Sequence, residues 1–104
     1  MGDIFKVKES LLQGNEKKCY ITGAEFVPLH KHHIYEGKNR QISEDNGFWI
    51  WLTPYWHNAS DFGVHGVYGR GLNLYLKKEC QKEFEKKHSR NEFIKLIGRN
   101  YLDE

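Results

Sequence analysis

The chain has 104 residues, 38% of them hydrophobic and 29% charged, which describes an ordinary soluble protein with one small core. No apolar run approaches the ~20 residues needed to cross a bilayer, and no membrane partner is expected. The formal net charge of +2 selects no partner class by itself.

In chain order, residues 1–18 alternate loosely and then turn polar, which predicts a short arm with strand character at residues 4–7. The stretch Ile4-Phe5-Lys6 lacks the apolar core of a signal peptide, and Met1-Gly2 is not followed by the small-residue pattern that lipidation favours. A cytoplasmic location is therefore expected. Cys19 and Cys80 lie far apart in sequence and are expected to be two free thiols.

Cys19-Tyr20-Ile21-Thr22-Gly23 reads as a short apolar piece ending in a turn. Phe26-Val27-Pro28-Leu29 and His33-Ile34-Tyr35 predict a strand or hairpin broken by Gly37, and residues 38–47 a polar loop. Phe48-Trp49-Ile50-Trp51-Leu52-Thr53, between Gly47 and Pro54, carries the strongest strand signal. Gly63, Gly66, Gly69 and Gly71 argue against a regular helix through residues 55–71. From Leu72 the pattern becomes helical, with Leu72, Leu76, Cys80 and Phe84 repeating every four residues. Ser89-Arg90-Asn91-Glu92 is a capping box opening a second helix that carries Phe93, Leu96 and Ile97, and Gly98 is its stop.

Six histidines are present, and His32 and His33 are adjacent. Neighbouring imidazoles in a strand or turn can serve different tasks, one as a metal ligand and the other as a base working near pH 7. The basic stretch from His30 to Arg40, with Glu36 as its one acid, overlaps this pair and suits a polyanionic substrate. In one continuous helix His57 and His65 would stand about 12 Å apart along the axis, too far to share an ion. The intervening Asn58-Ala59-Ser60-Asp61-Phe62-Gly63 must loop back if both are ligands, and its composition suits a loop.

In their order and spacing, Cys19-Tyr20-Ile21-Thr22-Gly23, His32-His33-Ile34, Asn39-Arg40, the Trp49–Leu52 strand, Pro54-Tyr55-Trp56-His57-Asn58 and His65 resemble the HNH nucleases of the ββα-metal fold, particularly small phage-type members. The resemblance spans residues 19–65, and the helical tail resembles the C-terminal extension of such proteins. It implies an α+β chain with an HNH-like core over residues 19–70 and two helices in residues 71–104. It further implies a DNA endonuclease in which His32, His57 and His65 bind one divalent ion and His33 is the general base. Mg²⁺ is the first expectation, with Mn²⁺, Ni²⁺ or Zn²⁺ as alternatives. The motif's middle asparagine falls on Asn39, nearer the pair, or Asn46, before the second strand; Asn58 adjoins His57. Lys38 and Arg40 are candidate phosphate contacts.

The chain departs from the family at the zinc knuckles that many members carry. Thr22 stands where a second thiolate would follow Cys19, and Thr53 and Trp56 stand at the other knuckle. One thiolate cannot hold a tetrahedral zinc, so no structural zinc is expected, with Trp49, Trp51 and Trp56 supplying apolar area instead. The alternative to a nuclease is a non-catalytic module on the same scaffold, a phage protein that binds nucleic acid or inhibits a host factor.

Overall fold

The computed structural model describes residues 8–103, so the expected strand character at residues 4–7 lies outside the described residues. The chain is a small α+β structure. Strand β1 (His30–His33) leads through a 3-10 turn (Gly37–Asn39) into helix α1 (Arg40–Asn46) and strand β2 (Trp49–Leu52). Helix α2 (Pro54–His57), helix α3 (Arg70–Phe84) and helix α4 (Arg90–Ile97) follow. The two strands pair antiparallel, with His30 opposite Leu52, His32 opposite Ile50 and His33 opposite Trp49. Among the described residues, no helix is long and apolar enough to cross a membrane.

Strand β2 forms where its aromatic and branched residues predict. Ile50 and Leu52 point into the core, while Trp49 and Trp51 stack edge to face on the opposite side, ring centroids 5.5 Å apart. Of the three tryptophans expected to substitute for a zinc scaffold, Trp49 is buried and Trp56 packs against the core cluster, whereas Trp51 is half-buried outside it. The outer edge of β2 is closed by the segment expected as a short arm together with Tyr20 just after it. Ser10 Oγ donates to the Trp49 carbonyl at 2.6 Å, the Trp51 amide donates to Gln13 Oε1 at 2.8 Å, and the Tyr20 amide donates to the Trp51 carbonyl at 2.8 Å. These bonds satisfy an edge that would otherwise present open backbone groups.

Two expectations are corrected. Residues 26–29 are not a strand: Phe26 is 99% exposed with φ of 59°, and pairing begins only at His30. Residues 38–47 are not a loop, because they contain α1. That helix has one apolar residue, Ile42, and no periodic stripe, so hydrophobic pattern does not mark it. It is held by contacts instead. Ser43 Oγ donates to the Tyr35 carbonyl at 2.8 Å and accepts from the Tyr35 amide at 3.2 Å. Gly47 ends it with φ of 75°, and a side chain there would also collide with the Glu9 carbonyl.

Helices α3 and α4 follow their sequence signals. Leu76, Cys80 and Phe84 of α3 are buried, Leu72 is half-buried, and Gly69 caps the start two residues earlier than the periodicity marks it. Ser89 and Glu92 form the expected reciprocal capping box, and Gly98 ends α4 with φ of 94°. The helices, the core side of β2 and the chain after β1 enclose Ile34, Tyr35, Phe48, Phe93 and Tyr101 as an aromatic-rich core. Tyr35 meets Phe48 and Phe93 edge to face, and its hydroxyl donates to the Lys77 carbonyl of α3 at 2.7 Å. That bond ties the hairpin to the helix beneath it. Cys19 and Cys80 are both free thiols in buried positions.

Candidate functional site

Side chains alternate across a strand, so β1 presents His30 and His32 on one face and Lys31 and His33 on the other. Each face meets its own partner. On the first, His57 from the end of α2 approaches both histidines, with ring centroids 5.1 Å from His30 and 5.4 Å from His32. On the second, Glu44 of α1 takes His33 Nε2 at 2.7 Å and Lys31 Nζ at 3.3 Å. The His32-His33 pair therefore splits into two different surroundings for a geometric reason.

His57 reaches its place because Pro54 starts a single helical turn directly after β2, with Thr53 in extended backbone before it. The chain then folds back: the Val64 amide donates to the Trp56 carbonyl and the His65 amide to the His57 carbonyl, each at 3.0 Å. Glycine makes the fold-back possible. A side chain on Gly63 would approach the Tyr55 and His57 carbonyls at 2.8 Å, and one on Gly69 would collide with the Gly63 carbonyl. His65 is thereby returned beside His57, ring centroids 4.8 Å apart, and 5.3 Å from His32.

His32, His57 and His65 each offer a nitrogen, and these atoms all lie within 4.8 Å of one another. In a tetrahedral site with bonds of about 2.1 Å the ligand atoms stand about 3.4 Å apart, so the widest pair closes by up to about 1.4 Å to share an ion. Two further observations fit a metal. His32 is buried, yet its Nε2 has no hydrogen-bond partner, an orphan that an ion would satisfy. Burial, reinforced by the neighbouring His57 and His65, holds the His32 pKa down at about 3, and burial with His65 and His30 holds His57 at about 4. Both are therefore neutral near pH 7, the state in which imidazole binds metal. Three imidazoles are a donor set better suited to Ni²⁺ or Zn²⁺ than to Mg²⁺ or Mn²⁺, which favour oxygen.

His33 stands in the same cleft as the cluster, together with Lys31, Glu36, Arg40, His57 and His65. The hydrogen bond from His33, helped by Lys31, keeps the Glu44 carboxyl below the usual carboxylate range, so Glu44 is ionised and only accepts. His33 Nε2 therefore carries the hydrogen, and Nδ1 carries the lone pair. The Nε–H of Arg40 points at that lone pair from 3.4 Å. Arg40 and Lys38 also line the adjoining cleft beside Gly37, Gln41 and Glu44, as phosphate contacts would require.

The two asparagines expected beside the base are engaged elsewhere. Asn39 Nδ2 donates to the Ile97 carbonyl at 2.9 Å, capping the end of α4, and Asn46 Nδ2 donates to the Ile42 carbonyl at 2.9 Å within α1. Neither lines the clefts around His33, and Asn58 ends α2 in an exposed position. The side chain hydrogen-bonded to His33 Nε2 is Glu44. Its signal was faint: an acid within a segment read as a polar loop. His30 was also missed, although its Nδ1 lies 2.9 Å from His57 Nδ1. If His57 donates that hydrogen, its Nε2 retains the lone pair that a metal takes, and His30 fixes the tautomer from behind. At the knuckle positions, Cys19 Sγ meets Thr53 Oγ1 at 3.9 Å. Burial would raise the Cys19 pKa, but hydrogen bonds involving Thr22 and Thr53 outweigh it and lower the value.

Comparisons of the chain with protein-family models, with curated proteins and with solved structures returned no match.

Proposed function

We propose that this chain is a metal-dependent endonuclease of the HNH, ββα-metal kind, hydrolysing DNA phosphodiester bonds with His33 as general base. The observation that carries the reading is the convergence of His32, His57 and His65 within 4.8 Å, in one cleft with a His33 already paired to Glu44. The meeting of Cys19 with Thr53 at the positions of lost knuckle ligands adds support, as does the hairpin followed by a short helical turn bearing His57.

The chemistry follows from the residues. Glu44 holds His33 in the tautomer whose Nδ1 accepts a proton, and it stabilises the imidazolium that results. Arg40 occupies the direction from which a water would donate to Nδ1; when Arg40 turns to a phosphate, a water takes that position. His33 Nδ1 accepts the proton as the water oxygen bonds to phosphorus and the P–O3′ bond breaks. A divalent ion held by His32, His57 and His65 would supply neutralisation of the phosphate charge and of the charge growing on the leaving oxygen. Lys38 and Arg40 position neighbouring phosphates without reading sequence.

Supercoiled plasmid incubated with purified protein and Mn²⁺, Mg²⁺, Ni²⁺ or Zn²⁺ is expected to be nicked or linearised. His33→Ala should slow cleavage by about 10²–10⁴-fold while leaving metal affinity and the thermal transition in place. Folded protein that leaves both the plasmid and single-stranded DNA intact with all four ions would sink the reading. A module that only binds would then be the better account.

A further inference from the structure

The loop that returns His65 to His57 also carries an exposed aromatic surface that catalysis at the histidines does not use. Phe62 is 54% exposed and Tyr68 is 69% exposed, and their rings stack on each other with centroids 5.5 Å apart and an interplanar angle of 25°. Val67, 74% exposed, lies beside Tyr68 in sequence. An exposed large apolar cluster is the informative departure from ordinary burial.

Its position follows from the chain. Phe62 and Tyr68 are each three residues from His65, so their Cα atoms lie within about 11 Å of that ligand's Cα. The platform is also preorganised. The Tyr68 amide donates to the Asp61 carbonyl at 2.7 Å, and a side chain on Gly66 would collide with the Ser60 carbonyl, so the two passes of the loop are locked together. Buried Val64 pins the turn between them. The rings are thus held open to solvent on a rigid backbone, which keeps the entropy cost of binding low.

Charge complementarity identifies the occupant. In the cleft that His65 of this loop lines, Glu36 is matched by Lys77 and Lys31 by Glu44, which leaves the cation of Arg40 in excess, and Lys38 stands with Arg40 in the adjoining cleft. A basic cleft lined by His65, with an open pair of π-faces three residues from His65 along the chain in either direction, suits a polyanion that carries flat rings. A base inside a duplex has its faces covered by its neighbours, whereas an unpaired base can lie on an aromatic side chain. We propose that Phe62 and Tyr68 form a base-stacking platform and that the substrate reaches the histidine cleft as DNA with unpaired nucleotides. The proposal deepens the endonuclease reading and, as a statement about substrate, rests on it.

Binding is measured in chelator, so that turnover plays no part, by fluorescence anisotropy. The probes are a labelled oligothymidylate of about 12 nucleotides and a duplex of the same length. Wild-type protein is expected to favour the single strand. The double variant Phe62→Ala, Tyr68→Ala should weaken single-strand binding roughly tenfold or more and duplex binding less than about twofold. The slope of affinity against salt should stay the same, because the phosphate contacts are untouched. Tyr68→Phe, which keeps the ring, should retain wild-type affinity. Three results would overturn the platform: unchanged single-strand binding, equal weakening of both probes, or a wild-type dimer in sedimentation that the double variant dissolves. Ring-dependent single-strand binding with cleavage of neither plasmid nor single-stranded DNA would defeat the nuclease reading alone. Cleavage with ring-independent binding would defeat the platform alone.

Discussion

At the scale of single residues, the alternation of β1 explains why two adjacent histidines take different parts. His32 is buried against His57 and His65, and His33 turns to Glu44. Glu44→Gln keeps a similar shape but cannot stabilise an imidazolium as a carboxylate does. The variant is expected to lower kcat at least tenfold, less than loss of His33 itself, with little change in KM for DNA. Steady-state cleavage at saturating metal measures this, and an unchanged kcat would remove Glu44 from the mechanism.

The depressed pKa values of His32 and His57 set a pH dependence for the metal-free protein. Unfolded, both titrate near 6.5; folded, at about 3 and about 4. Between those values the unfolded chain binds more protons, so stability is full above pH 6.5 and is lost as pH falls. His32 alone contributes up to about 1.4 kcal/mol per pH unit in that window. Urea unfolding in chelator at pH 7 and pH 5 tests this; equal midpoints would show that the two rings are not held neutral.

At the scale of elements, the loop from Asn58 to Gly69 does the assembling. Its glycines, which in sequence argue only against a helix, are positions where one pass of backbone lies against another. Gly69→Ala places a methyl group against the Gly63 carbonyl and is expected to cost about 2–3 kcal/mol. Metal affinity should fall with it, because His65 loses its seat. Denaturant titration and metal titration of the same preparation check both, and wild-type values in each would mean the loop is looser than its contacts imply. Helix α1 makes the complementary point. Its register sets Glu44 opposite His33, yet it is stable only against Tyr35 and Gly47, not through any pattern of its own.

At the scale of the whole molecule, the C-terminal helices support the site without entering it. Asn39 links the turn before α1 to the end of α4, and Tyr35 links the segment after β1 to α3. Asn39→Ala should therefore act on stability, costing about 1 kcal/mol, while cleavage stays within about twofold of wild type. Comparison of melting and cleavage separates this from a catalytic role; a large fall in kcat with unchanged melting would restore Asn39 to the base. The same coupling explains the aromatic content of the core. Tyr35, Phe48, Phe84 and Phe93 form one cluster of edge-to-face and tilted ring contacts that joins hairpin and helices around a single small core.

Much of this was legible in the sequence, and for identifiable reasons. Strand β2, the α3 stripe, the capping box and Gly98 are signalled locally, by residues within one element, so they read directly. The histidines were legible as a group through order and spacing, and the fold-back between His57 and His65 through its turn residues. What lay beyond reach was pairing across elements. Glu44 meets His33 across 11 residues, His30 meets His57 across 27, and Asn39 spends its amide on Ile97 across 58. The sequence by itself determined which residues could do chemistry. Only the tertiary structure decided which of them face one another, because those contacts depend on how separate elements pack, and local pattern carries no record of that.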